Sequence, residues 1–576
     1  MNRINILLIC IIASICCGCK DLLTLTPEDT LSPTSFFTNR SDLELWTNQF
    51  YSQFDDADDL AGLNADDQVD NTLGALMLGQ RDAADENGWS WSMLRKINYY
   101  LQNSVNCTDA DARQEYDGLA YFMRAYFYFV KVRRYGDVPW YDQVLGSADD
   151  ALLFKPRDDR GLVMDSVMAD LDRAFSMLPK TRSAVQVTKW TALALKTRIA
   201  LYEGTFRKYH GLGNADKYLQ QVVTAGDEFM NNSGYTLYNT GENPYRELFI
   251  SDGAKSEEVI LSRVYSASVN LMHGIQFNIL NTKQGFTRRF MNHYLMSDGT
   301  RFTDQANWET KFYTEEVTHR DPRLEQTVLC PGYKQKGSNT VTKNQLNAVT
   351  GYQPIKFVSA AAYDGATKGV SDFPLFRTAE VYLNYAEAKA ELGTLAQSDV
   401  NRTINNIRKR ANMPDLVLSE ANANPDPLLL TYYPNITSGN MRGALLEIRR
   451  ERTVELALEG FRQWDLLRWK EGKQFTVPFY GCYFPGPGKY DMDADGKEDL
   501  VLWKGEKETL ADGVSKQIGV DIILSEGDKG YVTAYPTFSV TWNEDRDYLW
   551  PIPASERVLS GGILTQNPGW TDSTGY

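Results

Sequence analysis

The sequence predicts a mainly α-helical fold, a scaffold of helix pairs interrupted by large irregular excursions that carry short strands. Three observations carry this reading. Apolar residues recur at spacings of three and four in several blocks far apart in the chain, the period of one buried helix face. The blocks occur as neighbouring pairs. Between them, residues 204–376 and 472–545 are rich in Gly, Asn, Asp, Tyr and Thr and lose the period.

The elements follow in chain order. A short basic start, Met1 to Arg3, precedes the apolar run "INILLICIIASI" from Ile4 to Ile15. That run is too short to span a bilayer and leads to small residues, the arrangement of a secretory signal peptide. The chain turns polar after Cys19, and a signal that ends directly on a cysteine is the pattern of bacterial lipoproteins. Only Cys19 among the clustered cysteines follows a residue as small as Gly18; Cys16 stands three positions before it, where this pattern commonly has Leu. The expected organisation is a signal peptide over 1–18, a lipid-anchored segment over 19–40 with Cys19 as the lipidation site, and one compact unit over 41–576 with halves of about 41–235 and 236–576. A zinc knot at the cluster would need a nearby second Cys or His pair, but the next cysteine is Cys107. With 1–18 removed, Cys19, Cys107, Cys330 and Cys482 are too dispersed for a disulfide framework.

Residues 113–134, "RQEYDGLAYFMRAYFYFVKVRR", place Leu119, Phe122, Met123, Tyr126, Phe127 and Val130 on one helix face, and Gly136, Asp137, Val138 and Pro139 end the helix. A second pair is predicted over 160–178 and 188–203. In the latter, Ala192, Leu195, Ile199 and Tyr202 form the stripe, and Ala194 and Ala200 allow close helix approach. A third pair is predicted over 377–393 and 397–412, and a last helical block over 441–471. Small and aromatic residues alternating on paired helices make the scaffold tetratricopeptide-repeat-like, without the ~34-residue period of true repeats. The long excursions, with a strand-like piece from Val259 to Val264, are of a size that usually carries a functional surface.

Composition narrows the function. Hydrophobic residues make up 43% and charged residues 23%, as in an ordinary globular protein. A formal charge of −15 argues against a nucleic-acid binder, which needs a basic surplus on its binding face. After Ile15 no apolar stretch reaches membrane-spanning length. The 32 Tyr, 12 Trp and 25 Phe exceed what a helical core requires; Tyr and Trp join a flat apolar face to a polar edge, which suits amphipathic ligands such as sugars, and the alternative, the better reading for most of them, is helix packing.

Catalytic signatures are absent. His210, His273, His293 and His319 are isolated, and there is no His-Glu-x-x-His, Gly-x-Ser-x-Gly, Walker loop or dinucleotide fingerprint. Glu455 and Glu459 are the candidates for a glycosidic acid/base pair, but helical neighbours at that spacing ordinarily form ion pairs. One metal motif stands out, "DMDADGKED". Asp491, Asp493 and Asp495 alternate, Gly496 permits a tight turn, Lys497 offers its backbone carbonyl, and Asp499 takes the ninth position of an EF-hand-type calcium loop. Leu502 replaces the closing Glu, and "FPGPGKY" before the loop is no entering helix. The alternative is a solvated acidic turn.

Three segments together resemble one family, the SusD/RagB lipoproteins of Bacteroidetes glycan-uptake systems: "FPLFRTAEVYLNYAEAKAELG" at 373–393, "IRRERTVELALEGFRQWDLLRWKEG" at 448–472, and "YLWPIPASERVLSGGILTQNPGW" at 548–570. Trp570 stands where the family more often has Tyr. The start, "CKDLLTLTPEDTLSPTSFF", is similar to the family's segment after its lipid cysteine. The resemblance implies a surface-exposed outer-membrane lipoprotein that captures an oligosaccharide without cleaving it and delivers it to a SusC-like TonB-dependent transporter. RagB-type relatives that serve peptide uptake are the alternative, and a surface glycoside hydrolase is the third hypothesis. The resemblance also implies a shallow site of stacking aromatic rings in variable loops. Candidates in this chain are Trp89 and Trp91 in "NGWSWSML", Asp67, Asp70 and Arg81 in the preceding polar loop, and Phe286 and Arg289 in "QGFTRRF".

Overall fold

The computed structural model describes residues 36–84, 88–146, 148–436 and 439–572. Residues 1–35, which include the expected signal peptide, the expected lipidation site Cys19 and most of the expected anchor segment, lie outside the described residues. Helix makes up 44% and strand 10%, so the mainly α, tetratricopeptide-repeat-like expectation holds.

Helix α1 (Arg40–Thr47) begins at Asn39, whose side chain accepts the Asp42 N–H and so caps one otherwise unpaired donor. Helices α2 (Ser92–Asn103) and α3 (Ala110–Tyr135) follow. The stripe expected over 113–134 faces inward, with only Val130 half-buried. Gly136 ends α3 at φ 75°, a backbone conformation that favours glycine. Helix α4 (Arg160–Met177) packs between α3 and α5 (Lys189–His210). Helix α5 outruns its expected end at 203 because Gly204, Thr205, Phe206 and Arg207 are also buried.

The 204–376 segment, expected to be irregular apart from short strand-like pieces, also contains α6 (Ala215–Asn232) near its start. Its buried face, from Tyr218 and Leu219 to Phe229, is diluted by Gln, Thr, Gly and Asp. The helix lies on α5 and on α7 (Thr378–Glu391) at close range. A Cβ on Gly204 would stand 2.8 Å from the Leu219 side chain, and one on Gly226 would stand 2.9 Å from Tyr385. The block predicted over 397–412 is two short helices, α8 (Gln397–Arg402) and α9 (Ile404–Arg410), separated at Thr403. The block over 441–471 is likewise divided into α10 (Arg442–Glu455) and α11 (Arg462–Arg468), with Leu458 and Gly460 at positive φ in the turn.

The strands form small open sheets. Strand β1 (Gln68–Val69) pairs antiparallel with β3 (Gly285–Phe286), and β2 (Val259–Arg263) with β4 (Phe373–Arg377). In the later excursion β5 (Tyr480–Phe484) pairs with β9 (Gly530–Thr533), while β6 (Gly488–Tyr490), β7 (Leu500–Trp503) and β8 (Val514–Gln517) form a three-stranded sheet. The main core gathers helices α1 to α6 with Leu261, Phe376, Tyr385 and Ile552. A second core under the excursions includes Phe286, Tyr352, Leu500 and Leu502.

The charged residues of α10 point inward. Glu455 and Glu459 are buried, and Arg377 reaches both carboxylates at 2.7 Å. Lys356 adds a 2.7 Å contact to Glu459; Arg323 meets Glu455 at 3.1 Å, and Arg410 also pairs with Glu455. Against the upward push of burial, the guanidinium groups of Arg410, Arg377 and Arg323 hold the Glu455 carboxyl well below the usual carboxylate range. An ionised pair locked in this way has no proton to donate and no water to activate, so its role is ionic packing.

Candidate ligand-binding site

The C-terminal turn of α3 and the first turns of α2 face each other, and the residues following each complete a cleft. Gly88, at φ 89°, precedes Trp89, Ser90 and Trp91, which lead into α2. After Gly136 the chain runs through Pro139, Trp140 and Tyr141. Together with the C-terminal segment around Leu564 these elements enclose a cavity of about 360 Å³. That size falls within the ~300–1,000 Å³ of small-molecule sites.

Two aromatic rings form its walls. Trp91 is half-buried and stands at 81° to Tyr141, with 5.9 Å between ring centroids. Trp89 is only 4% exposed; it packs edge-on against Trp91 at 5.5 Å and Tyr135 at 4.8 Å. Trp91 is therefore the more exposed of the two lining tryptophans, and Trp89 packs against it. Leu94 and Leu564 extend the apolar lining, while Arg95, Gln143 and Glu556 supply polar groups. An apolar wall with a few polar groups suits an amphipathic ligand such as a sugar ring, whose C–H face packs on an aromatic and whose hydroxyls need partners.

The surroundings hold this geometry. Lys131, on α3, donates from Nζ to the Ser90 carbonyl at 2.7 Å and to the Gly88 carbonyl, and lies 5.4 Å from the Trp91 ring centre. Burial pushes its ammonium down to about 7. Asn98 donates to the carbonyls of Tyr141 and Gln143, both at 3.1 Å, and accepts from Arg124 at 3.2 Å; Arg124 is itself held by Asp170 at 2.7 Å. The Tyr141 N–H reaches the Tyr128 hydroxyl, and the Tyr128 ring stacks on Trp140 at 4.2 Å.

The other sequence candidates do not join this cleft. Pairing of Gln68 with Phe286 brings Asp67 and Asp70 into the same region as Phe286 and Arg289, but as a structural joint. Phe286 is fully buried, stacked on Phe290 at 4.0 Å, and presents no face to a ligand. Arg289 lies over the Tyr432 ring at 3.8 Å, 3.5 Å from Asp66, and donates to Gln474. Asp70 accepts the Thr72 N–H at 2.7 Å in a local turn. Arg81 is buried, paired with Asp547 at 3.2 Å and placed over Trp550 at 4.7 Å, so it fastens its loop to the C-terminal segment. Arg81 and Arg289 look like available polar groups in sequence because their partners, Asp547 for the one and Asp66 and Gln474 for the other, are far away along the chain.

Asp67 is buried too, and burial together with the adjacent Asp66 carboxylate pushes its carboxyl up to about 7. A raised carboxyl favours the protonated folded state, so its contribution is complete below the unfolded value of 3.8 and is lost as pH rises to about 7. Asp67→Asn, which mimics the protonated form, is expected to exceed the wild type in stability by about 1–3 kcal/mol at pH 8. The gain should shrink towards pH 4, and urea unfolding at the two pH values checks it; equal differences at both would contradict the account.

In the acidic loop, carboxylate oxygens of Asp491, Asp493 and Asp499 lie within 4.8 Å of one another. Asp495 departs from the expected ligand set: it is exposed, stands outside this group, and accepts the Lys497 N–H at 2.8 Å. A further aromatic group, not found from sequence, is the half-buried ladder of Tyr480, Tyr483 and Tyr531 across β5 and β9. Tyr141, Arg95 and Gln143 were also illegible as site residues; the only hint was "PWY" directly after the turn that ends α3.

The SusD family model matches residues 265–570, and a second model, described as starch-binding associating with outer membrane, matches residues 51–201. SusD-like protein P38 of Formosa agariphila is 24% identical, covering 81% of this chain and 90% of that one. SusD-like protein P2 of the same species is 23% identical over 96% of this chain and 97% of its own. Among solved structures, a SusD-like protein of Bacteroides fragilis superposes with a TM-score of 0.67 at 23% identity, covering 95% of this chain and all of that one. A SusD-like carbohydrate binding protein of the same species also gives 0.67, at 19% identity, with 91% and 99% covered. At these identities the structural likeness is one of fold.

Proposed function

The chain belongs to the SusD family, and from that premise we propose that it is a cell-surface, non-catalytic glycan-binding protein that holds oligosaccharides in the Trp91–Tyr141 cleft. It passes them to a SusC-like TonB-dependent transporter in the outer membrane. The observation that carries the reading is the pairing of a half-buried tryptophan with a second aromatic wall and a polar rim in one pre-formed cavity. The carbohydrate-binding relative and the starch-binding, outer-membrane description of the matched family support the ligand class and the location. Locking of Glu455 and Glu459 in ion pairs removes the one carboxylate pair that sequence offered for hydrolysis.

Incubation of the purified protein with a panel of glycans tests this reading. Reversible retention without new reducing ends is the expected result; reducing ends would establish a hydrolase, and retention of peptides alone would overturn the carbohydrate assignment. The anchor is tested separately. Cys19→Ala is expected to move the protein from the membrane fraction to the soluble fraction, and membrane retention in cells lacking the transporter would contradict lipidation at Cys19.

A further inference from the structure

The acidic loop between β6 and β7 has no part in the cleft, and its side-chain arrangement calls for a ligand of its own. Strands β6 and β7 pair Tyr490 with Leu500, so residues 491–499 form the connection of an antiparallel hairpin. Its two ends are held together by the Asp499 N–H donating to the Tyr490 carbonyl at 3.0 Å. Asp491, Asp493 and Asp499 converge there, and among the described residues no Lys or Arg forms an ion pair with any of them.

A second observation goes beyond this convergence. Asp499 is 2% exposed, and although Oδ1 accepts the Met492 N–H at 3.1 Å, Oδ2 is buried with no hydrogen-bond partner. A carboxylate oxygen removed from water and left unpaired is costly, and a cation compensates it. Asp493, also buried, faces the same point.

We propose that Asp491, Asp493 and Asp499 bind one calcium ion, with the Lys497 backbone carbonyl and water completing an all-oxygen shell. The donor set is hard: it contains no His or Cys, as zinc would favour. Calcium accepts six to eight oxygens in irregular geometry, whereas magnesium demands a near-octahedral shell and keeps its water. The position of the closing residue also becomes clear. Leu502, at the twelfth loop position, is buried within β7, so the sheet has taken the place of the usual bidentate Glu. Asp499, at the ninth position and immediately before β7, turns inward to close the site instead. The ion would fasten the hairpin whose Tyr490 packs on Phe312 at 5.3 Å and Phe484 at 5.1 Å, and so order the surrounding excursion.

Calcium chloride titrated into the purified protein by calorimetry tests the site, with magnesium chloride as the comparison. One site is expected, with Kd in the ~10⁻⁴–10⁻³ M range of extracellular modules and at least tenfold preference over magnesium. Asp499→Asn, and separately Asp491→Asn with Asp493→Asn, should weaken calcium at least tenfold with an unchanged circular dichroism spectrum. Limited proteolysis gives an independent reading on the wild type alone: cleavage within 491–513 should be slower in calcium than in EDTA. Absence of both calcium heat and calcium protection in the wild type would overturn the proposal, as would undiminished affinity in folded variants. Equal affinity for magnesium would overturn the assignment to calcium.

Discussion

Glu455→Ala is expected to destabilise the protein by about 3–5 kcal/mol, the usual cost of removing one partner from a buried ion pair. The expectation follows from what remains. Glu455 is fully buried and accepts from Arg377 at 2.7 Å, from Arg323 at 3.1 Å and from Arg410. Truncation would leave three guanidinium groups in a dry interior with less negative charge than they were placed to meet. Glu258, paired with Arg377 at 3.0 Å and Arg410 at 2.9 Å, compensates only part of it. Glu455→Gln keeps the shape and one acceptor, and should lose less. The midpoint of urea unfolding at neutral pH measures both; an alanine variant within about 1 kcal/mol of the wild type would mean that the network does not carry this load. Glu387 shows the same dependence with pH. Burial alone would raise its carboxyl, but Arg468 holds it down at about 2, so its contribution is complete above the unfolded value of 4.5 and is lost as pH falls from 4.5 to about 2.

The second large effect concerns the ligand. Trp91→Ala is expected to weaken oligosaccharide binding by roughly 2 kcal/mol, or about 30-fold, because a buried aromatic anchor contributes on that order. Trp91→Phe, which retains a flat ring, should lose much less. Trp89→Ala should also weaken binding, through a different route: its ring supports Trp91 and Tyr135, so its loss should lower the unfolding temperature as well. Titration of each variant against the tightest glycan of the panel, with thermal unfolding in parallel, separates the two roles. Equal affinity of Trp91→Ala and the wild type would remove the cleft from the account.

The helical scaffold was legible because it rests on local rules. The stripe from Leu119 to Phe127 and the terminating Gly136 are written within one helix and the residue that follows it. Helix α6 escaped because its apolar face is diluted by polar residues and small ones, and Gly226 is there to let Tyr385 approach, a partner far along the chain. The site was half legible for the same reason. Trp89 and Trp91 are candidates already in "NGWSWSML", but the facing wall, Tyr141, and the lining residue Leu564 come from segments that only the fold brings together. Conversely, Arg81 looked available in sequence because nothing local pairs with it; its partner, Asp547, lies 466 positions away. Asp67 looked solvated until strand pairing buried it. Charged residues were the least legible class here, since burial and long-range pairing together decide what each one does.

A crystal structure of the protein with the oligosaccharide selected by the panel tests the central claim most directly. The account predicts a sugar ring against the face of Trp91 and beside Tyr141, with its hydroxyls within hydrogen-bond reach of Arg95, Gln143 or Glu556. A sugar seated instead on the Tyr480–Tyr483–Tyr531 ladder, with the Trp91 cleft empty, would contradict it.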